Sequence, residues 1–406
     1  MRIGRGHFAV VAAGMCAFFN MYITQALLPE LRQAFGAGVA AVSLTVTATT
    51  LGVALAAPFA GGLADRYGRR RVLLIALALL TLATFGAASA GGLGSLLLWR
   101  ALQGFCIPGI FTSAVAYIAE EWEPAEAAGM ASLYVAGTVL GSFCGRFISG
   151  LVTAEYGWRS AFLTMGALNL AFLPLIALLL PRSRRFTPST SLLASLSGIG
   201  AHLRNGPLLA TYGIGFSLLF AQVGTFTYVN FYLSAAPFHL STHALSFIFF
   251  VFLFGMAVTP FSGRWALHWS PRQVGLAALA TSALGLLLTL EPWLPAILLG
   301  LVLSSAGVFI VQSLATATVP RLALGARSAA VGLYLTCYYF GGSVGASLPA
   351  SIWSAPGWLG GWHGCVALVL LVQAAAALLV RATWAGRVAR GVGSAALRQA
   401  SSISAN

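Results

Sequence analysis

The chain has 406 residues, 59% hydrophobic and only 7% charged, with a mean hydropathy of +0.89 and a formal net charge of +14. Soluble globular domains carry about 25% charged residues, whereas each bilayer crossing needs ~20 mostly apolar ones, so this composition describes a polytopic membrane protein of about twelve spans. It excludes a disordered chain, a disulfide scaffold, a collagen and a soluble enzyme on a membrane anchor, since no long polar segment is left to form a domain.

Arg2 and Arg5 precede the first apolar run as in a signal peptide, but no small-residue cleavage pattern closes it and it continues into Asn20, Tyr22 and Thr24. It reads as a retained first span. Apolar runs and their polar breaks place the spans at about 8–28, 39–60, 72–90, 95–118, 127–152, 159–181, 208–233, 244–262, 274–290, 294–318, 328–352 and 362–380. All 22 basic residues are Arg. Eighteen of them, from Arg2 to Arg398, fall in the termini and loops of one side, against only Arg32 and Arg159 on the other. Positive charge stays cytoplasmic, so a multi-pass protein of the inner (plasma) membrane with both termini in the cytoplasm is expected. The clusters explain the basic balance without nucleic acid. The five cysteines sit inside apolar runs with no CxxC pair, as small core residues and not as disulfides or metal ligands.

The longest connection, 182–207, opens with Pro-Arg-Ser-Arg-Arg-Phe at 181–186 and splits the chain into two bundles of six spans, 1–181 and 208–380, followed by a tail at 381–406. The halves repeat. Residues 58–72 (PFAGGLADRYGRRRV) align with 260–274, 132–145 (SLYVAGTVLGSFCG) with 332–345, and Gly157-Trp158 with Gly357-Trp358, all at an offset of 200 or 202. Duplicated six-helix halves with a binding site between them are a transporter plan.

Between spans two and three, Gly61, Asp65, Arg66, Gly68, Arg69 and Arg70 stand in the order Gly, Asp-Arg, Gly-Arg-Arg. Gly61 would let helices approach closely, Gly68 would permit a tight turn, and Asp65 would place a carboxylate at the membrane face. This loop resembles the signature loop of the major facilitator superfamily. Arg100-Ala-Leu-Gln103-Gly104 resembles that family's fourth-helix pattern, and the likeness covers nearly the whole chain. Leu-Pro-Glu at 28–30, Tyr-Ile-Ala-Glu-Glu at 117–121, Gly-Arg-Phe-Ile-Ser-Gly at 145–150 and Leu-Pro-Arg-Ser-Arg-Arg-Phe at 180–186 are most similar to a YnfM/AraJ-like branch of bacterial efflux permeases. The resemblance implies an all-α fold of twelve transmembrane helices in two pseudo-symmetric six-helix bundles, working by alternating access. It also implies a conformational latch. Asp65 would meet the N-terminal end of span eleven, capped by Ser328, when the cavity is closed to the cytoplasm, and Arg69 would pair with an acid such as Glu120 or Glu121 at the end of span four. The second-half copy has Leu267 in place of Asp65, so only one latch is charged.

All eight acids, Glu30, Asp65, Glu120, Glu121, Glu123, Glu126, Glu155 and Glu291, fall at span ends or in loops. Export of cations, and simple carboxylate proton carriage, use an acid within the membrane, so an anionic or neutral amphiphile is the expected solute. Arg100 and Arg146 do lie within spans, where a charge needs water, a partner or a substrate; for Arg146, snorkelling to the outer interface is an equal reading. Asn20, Thr24, Gln103, Gln222, Tyr228, Asn230, Gln312 and Tyr338 complete the candidate binding set, Asn20 and Thr24 sharing a face at i, i+4. Any one of them also reads as an inter-helix hydrogen bond. The expectation is therefore a monomeric secondary transporter, an efflux permease or antiporter for a small organic solute, with protons as a possible coupling ion and no cofactor. A proton-coupled exporter of lipophilic cations is the alternative. An intramembrane enzyme would need a buried nucleophile and base, and a receptor would need an effector domain. The sequence supplies neither.

Overall fold

A computed structural model describes residues 5–181, 183, 199–255, 257, 269–323, 327–357 and 360–384, without the side chains of 124, 125, 128, 199, 201, 327 and 328. Among the described residues the secondary structure is helical, with no strand. Besides two short helices, Ile199–His202 and Pro349–Trp353, the helices are α1 (Arg5–Met21), α2 (Leu28–Phe35), α3 (Val39–Tyr67), α4 (Arg69–Ala88), α5 (Leu93–Glu121), α6 (Pro124–Tyr156), α7 (Trp158–Leu179), α8 (Gly206–Ser234), α9 (Thr242–Ile248), α10 (Pro271–Leu288), α11 (Leu294–Leu322), α12 (Arg327–Ser347) and α13 (Gly361–Thr383). Nine of them are long and apolar enough to cross a membrane. The expected first span falls short of that length because it breaks after Met21 into a 3₁₀ turn, Ile23–Ala26, and α2. Span eight runs from α9 into residues outside the described set. α13 continues to Thr383, so the first residues assigned to the tail are helical.

Helices α1 to α7 pack mainly on one another, as do α8 to α13, and the two groups meet chiefly through α3 on α12 and α6 on α9. The duplicated segments perform the same packing task twice. A Cβ on Gly141 or Gly145 of α6 would lie 2.7 or 2.3 Å from the carbonyl oxygens of Met15 and Phe19 on α1. On Gly341 or Gly345 of α12 it would lie 2.1 or 2.4 Å from those of Phe216 and Phe220 on α8. Only a residue without a side chain fits at such an approach. Likewise Gly157 and Gly357 turn the chain with φ of +80° and +84°, a region that L side chains avoid.

The halves differ where α1 breaks. Pro29 has no N–H to give the Gln25 carbonyl four residues back, and a break leaves other carbonyls unpaired inside the bilayer, where irregular backbone survives only if protein satisfies it. Side chains satisfy four of them. Arg100 donates to the Asn20 and Met21 oxygens at 2.7 and 2.8 Å, Ser149 to Ile23 at 3.2 Å, and Asn230 to Gln25 at 3.1 Å. In the second half, the positions one repeat beyond Arg100 are Gly300 to Val302, none of them charged, and α8 is an unbroken helix of 29 residues.

Candidate functional site

Among the described residues, alternating helices gather Arg66, Arg69 to Arg71, Arg204, Arg272, Arg321 and Arg381 at one end of the bundle and leave Arg32 and Arg159 at the other. At the Arg-rich end, Gly68 has φ +96° and reverses the chain between α3 and α4. Arg69 bridges two helix ends. It pairs with Asp65 one turn before it and donates from Nε and Nη2 to Glu120 Oε1 at 3.1 and 2.7 Å. Glu121 follows at the end of the same helix. Arg70 donates to the Ala177 and Leu180 carbonyls at 2.6 and 2.9 Å, capping α7, and Arg66 lies over the Tyr67 ring. The expectation for Gly61 is corrected: nothing lies within 4 Å of a Cβ built there, so it mediates no close helix approach in this state. The Ser328 side chain and Leu267 lie outside the described residues.

The predicted binding residues divide into three groups. The first is a sealed network inside the first half. Arg100, fully buried, donates to Thr45 O at 3.2 Å and Gln103 Oε1 at 2.6 Å besides the two carbonyls of α1. Gln103 donates to Thr84 Oγ1, and Thr84 to Asn20 Oδ1, both at 2.8 Å. Every guanidinium nitrogen of Arg100 is engaged by the protein. Arg100, Asn20 and Gln103 are therefore not cavity ligands in this structure, which corrects that expectation: they hold the broken helix in place. Thr24 falls within the 3₁₀ turn, so the helical i, i+4 relation to Asn20 does not exist, although its buried hydroxyl has no hydrogen-bond partner.

The second group seals the Arg-poor end. Hydrogen bonds between the halves lie there. Thr47 donates to Ser343 O at 3.3 Å, and Ser343 to Thr50 Oγ1 at 2.9 Å. Gln25 Nε2 donates to Val223 O and Thr227 Oγ1 at 3.3 and 3.1 Å. Phe143 and Phe147 of α6 meet Phe247 and Phe250 with centroids 4.8–5.2 Å apart. Arg146 belongs to this seal and does not snorkel. It is 2% exposed, donates to Gln25 Oε1 and Ser142 O at 2.8 Å, and has its guanidinium carbon 4.1, 4.6 and 5.5 Å from the rings of Tyr22, Phe252 and Phe249. Asn230 donates to Gln25 O, and Tyr228 to Ala346 O at 2.8 Å within the second half.

The third group lies at mid-height. Gln222 donates to Ser305 Oγ at 3.3 Å, and Tyr338 stacks on Tyr334 and meets Tyr339 edge-on. The Tyr134 hydroxyl is buried without a hydrogen bond, whereas Tyr334 is partnered by Thr316 and Tyr338 by Gln312. Tyr22, which lies against the Arg146 guanidinium, neighbours Tyr338 and Tyr339, so this phenol cluster adjoins the underside of the Arg146 box. Gln25, Tyr22, Tyr134 and Tyr334 are absent from the sequence-derived set. Only Pro29, which frees the Gln25 carbonyl, could have pointed to one of them.

A family model described as Major Facilitator Superfamily matches residues 10–346. An uncharacterized MFS-type transporter of Bacillus subtilis, YybF, is 31% identical over 366 residues, covering 90% of both chains. The inner membrane transport protein YnfM of Escherichia coli is 32% identical, covering 90% of this chain and 87% of its own. A gallate transporter of Pseudomonas putida is 32% identical over 46% of this chain and 43% of its own. Among solved structures, a peptide transporter POT with bound sulfate superposes with a TM-score of 0.76 at 15% identity, covering 94% of each chain. A D-xylose-proton symporter gives 0.74 at 15% identity, covering 93% of this chain and 96% of its own. The chain belongs to the major facilitator superfamily, a family of membrane transporters and not of enzymes.

Proposed function

We propose that the protein is an efflux permease of the inner membrane that carries a small organic anion or neutral amphiphile outward by alternating access between two six-helix bundles, with both termini cytoplasmic. The observation that carries this reading is the sidedness of closure. Five hydrogen bonds join the halves at the Arg-poor end, while Asp65 and Arg69 pair within the first half. With the Arg-rich loops in the cytoplasm, this is the state that loads from inside. In the opposite state, Asp65 would turn to the N-terminal end of α12.

Charge supports the solute class. The two arginines within the spans, Arg100 and Arg146, have no acid partner among the described residues, and the acids of the sequence all lie at span ends or in loops. A partial relative that carries gallate, an aromatic carboxylate, points the same way. The test is counterflow in proteoliposomes preloaded with gallate. Uptake of labelled gallate or benzoate above protein-free vesicles is the expected result. Uptake of lipophilic cations alone would replace this reading with the multidrug exporter.

A further inference from the structure

Arg146 is a buried cation whose described partners are all neutral: a carboxamide oxygen, one backbone carbonyl and three ring faces. Hydrogen bonds engage its Nε and Nη1, and the phenol cluster, with the Tyr134 hydroxyl unpartnered, adjoins Tyr22 beneath it. Its oxygen partner, Gln25, is fully buried and does two things at once. Oε1 accepts from Arg146, and Nε2 of the same carboxamide reaches across the interface to Thr227 and Val223.

We propose that Gln25 is a stand-in ligand. Its carboxamide oxygen occupies the place on Arg146 that a solute carboxylate takes, so that binding of an anion and release of the Arg-poor seal are one exchange of hydrogen bonds. This rests on the anion reading given above. A carboxylate makes a shorter, stronger bond to guanidinium than an amide does, because both partners are charged, and it can engage Nε and a terminal nitrogen together. An anion arriving from the Arg-rich side therefore displaces Gln25. The displaced carboxamide swings away from Thr227 and Val223, and the seal loses two of its bonds between the halves. A neutral solute of the same shape lacks that advantage and leaves the seal closed. Gln25 is a positioning residue, acting on the solute through Arg146.

The test uses the full-length protein carrying Thr50→Cys and Ser343→Cys, whose native hydroxyls are 2.9 Å apart across the interface, and reads the rate of cross-linking as occupancy of the sealed state. The probes are benzoate and 4-hydroxybenzoate, with benzamide as the neutral control. In the parent, the carboxylates are expected to slow cross-linking and benzamide is not. Gln25→Ala and Gln25→Glu both remove the amide donors, so both should slow cross-linking about tenfold without any ligand, the equivalent of two ordinary hydrogen bonds. They part in their response to anions. Gln25→Ala leaves Arg146 open and still binds the carboxylates, read as thermal stabilisation at equal or lower concentration, but its cross-linking no longer answers to them because no amide is left to displace. Gln25→Glu supplies a permanent carboxylate and abolishes the stabilisation as well. A merely structural glutamine would give two variants that behave alike. Undiminished cross-linking in both variants, a carboxylate response in Gln25→Glu equal to the parent's, or a parent that responds to neither carboxylate overturns the proposal. Counterflow reads transport separately, so gallate uptake with no carboxylate effect on cross-linking would leave the transporter standing and remove only the exchange at Gln25.

Discussion

At the scale of single residues, two arginines of similar burial do different work, and the difference lies in their partners. Arg100 gives every nitrogen to the protein, three of its four acceptors being backbone carbonyls. Removing it would strand those oxygens at about 1–3 kcal/mol apiece. Arg100→Ala and Arg100→Lys should both lower the thermal midpoint of the detergent-purified protein by several degrees without ligand, since a lysine ammonium cannot reproduce the fork. An unchanged midpoint would disprove the capping role. The sequence identifies both arginines as intramembrane charges but not their roles, because their partners are distant in the chain. Asn20 is 80 residues from Arg100, and Gln25 is 121 from Arg146. A polar residue in an apolar run shows only that something must satisfy it.

At the scale of elements, the apolar runs locate the helices within a few residues, and the repeat offset locates the glycine stripes that pack α6 on α1 and α12 on α8. These features were legible because both arise from local patterns: a 20-residue hydrophobic length, and small residues four apart. The break in α1 was not. Asn20 and Thr24 fit a helical face, and only the loss of a donor at Pro29 argues otherwise. The pseudo-symmetry makes a paired prediction. Gly145→Val and Gly345→Val should each separate a helix pair and lower the yield of folded protein to a similar degree, by size-exclusion recovery after purification, whereas Gly61→Val, in open space, should leave it unaltered. Loss at Gly61 equal to that at Gly145 would mean that the packing has been misassigned.

At the scale of the whole molecule, the two ends are held by different forces. The Arg-poor seal consists of neutral hydrogen bonds, stacked rings and a cation enclosed by them. The Arg-rich end carries a partly exposed carboxylate–guanidinium cluster, its Arg69, Asp65 and Glu120 side chains 11%, 36% and 30% exposed. Mobile ions screen exposed charges over about 8–10 Å at ordinary ionic strength and over ~3 Å at 1 M, but barely reach buried groups. Salt should therefore act on this carrier from one compartment only. Raising it from 0.1 to about 1 M on the Arg-rich face weakens the contact of Asp65 with the N-terminal end of α12 that would close that face in the opposite state, and should increase Thr50→Cys/Ser343→Cys cross-linking in sealed vesicles. The same change on the opposite face should leave cross-linking as it was, and equal effects from both faces would contradict the assignment. With the Arg-rich loops in the cytoplasm, as proposed, a cell that alters its internal ion content would thus retune the resting orientation of the carrier, while the salinity of its surroundings would not.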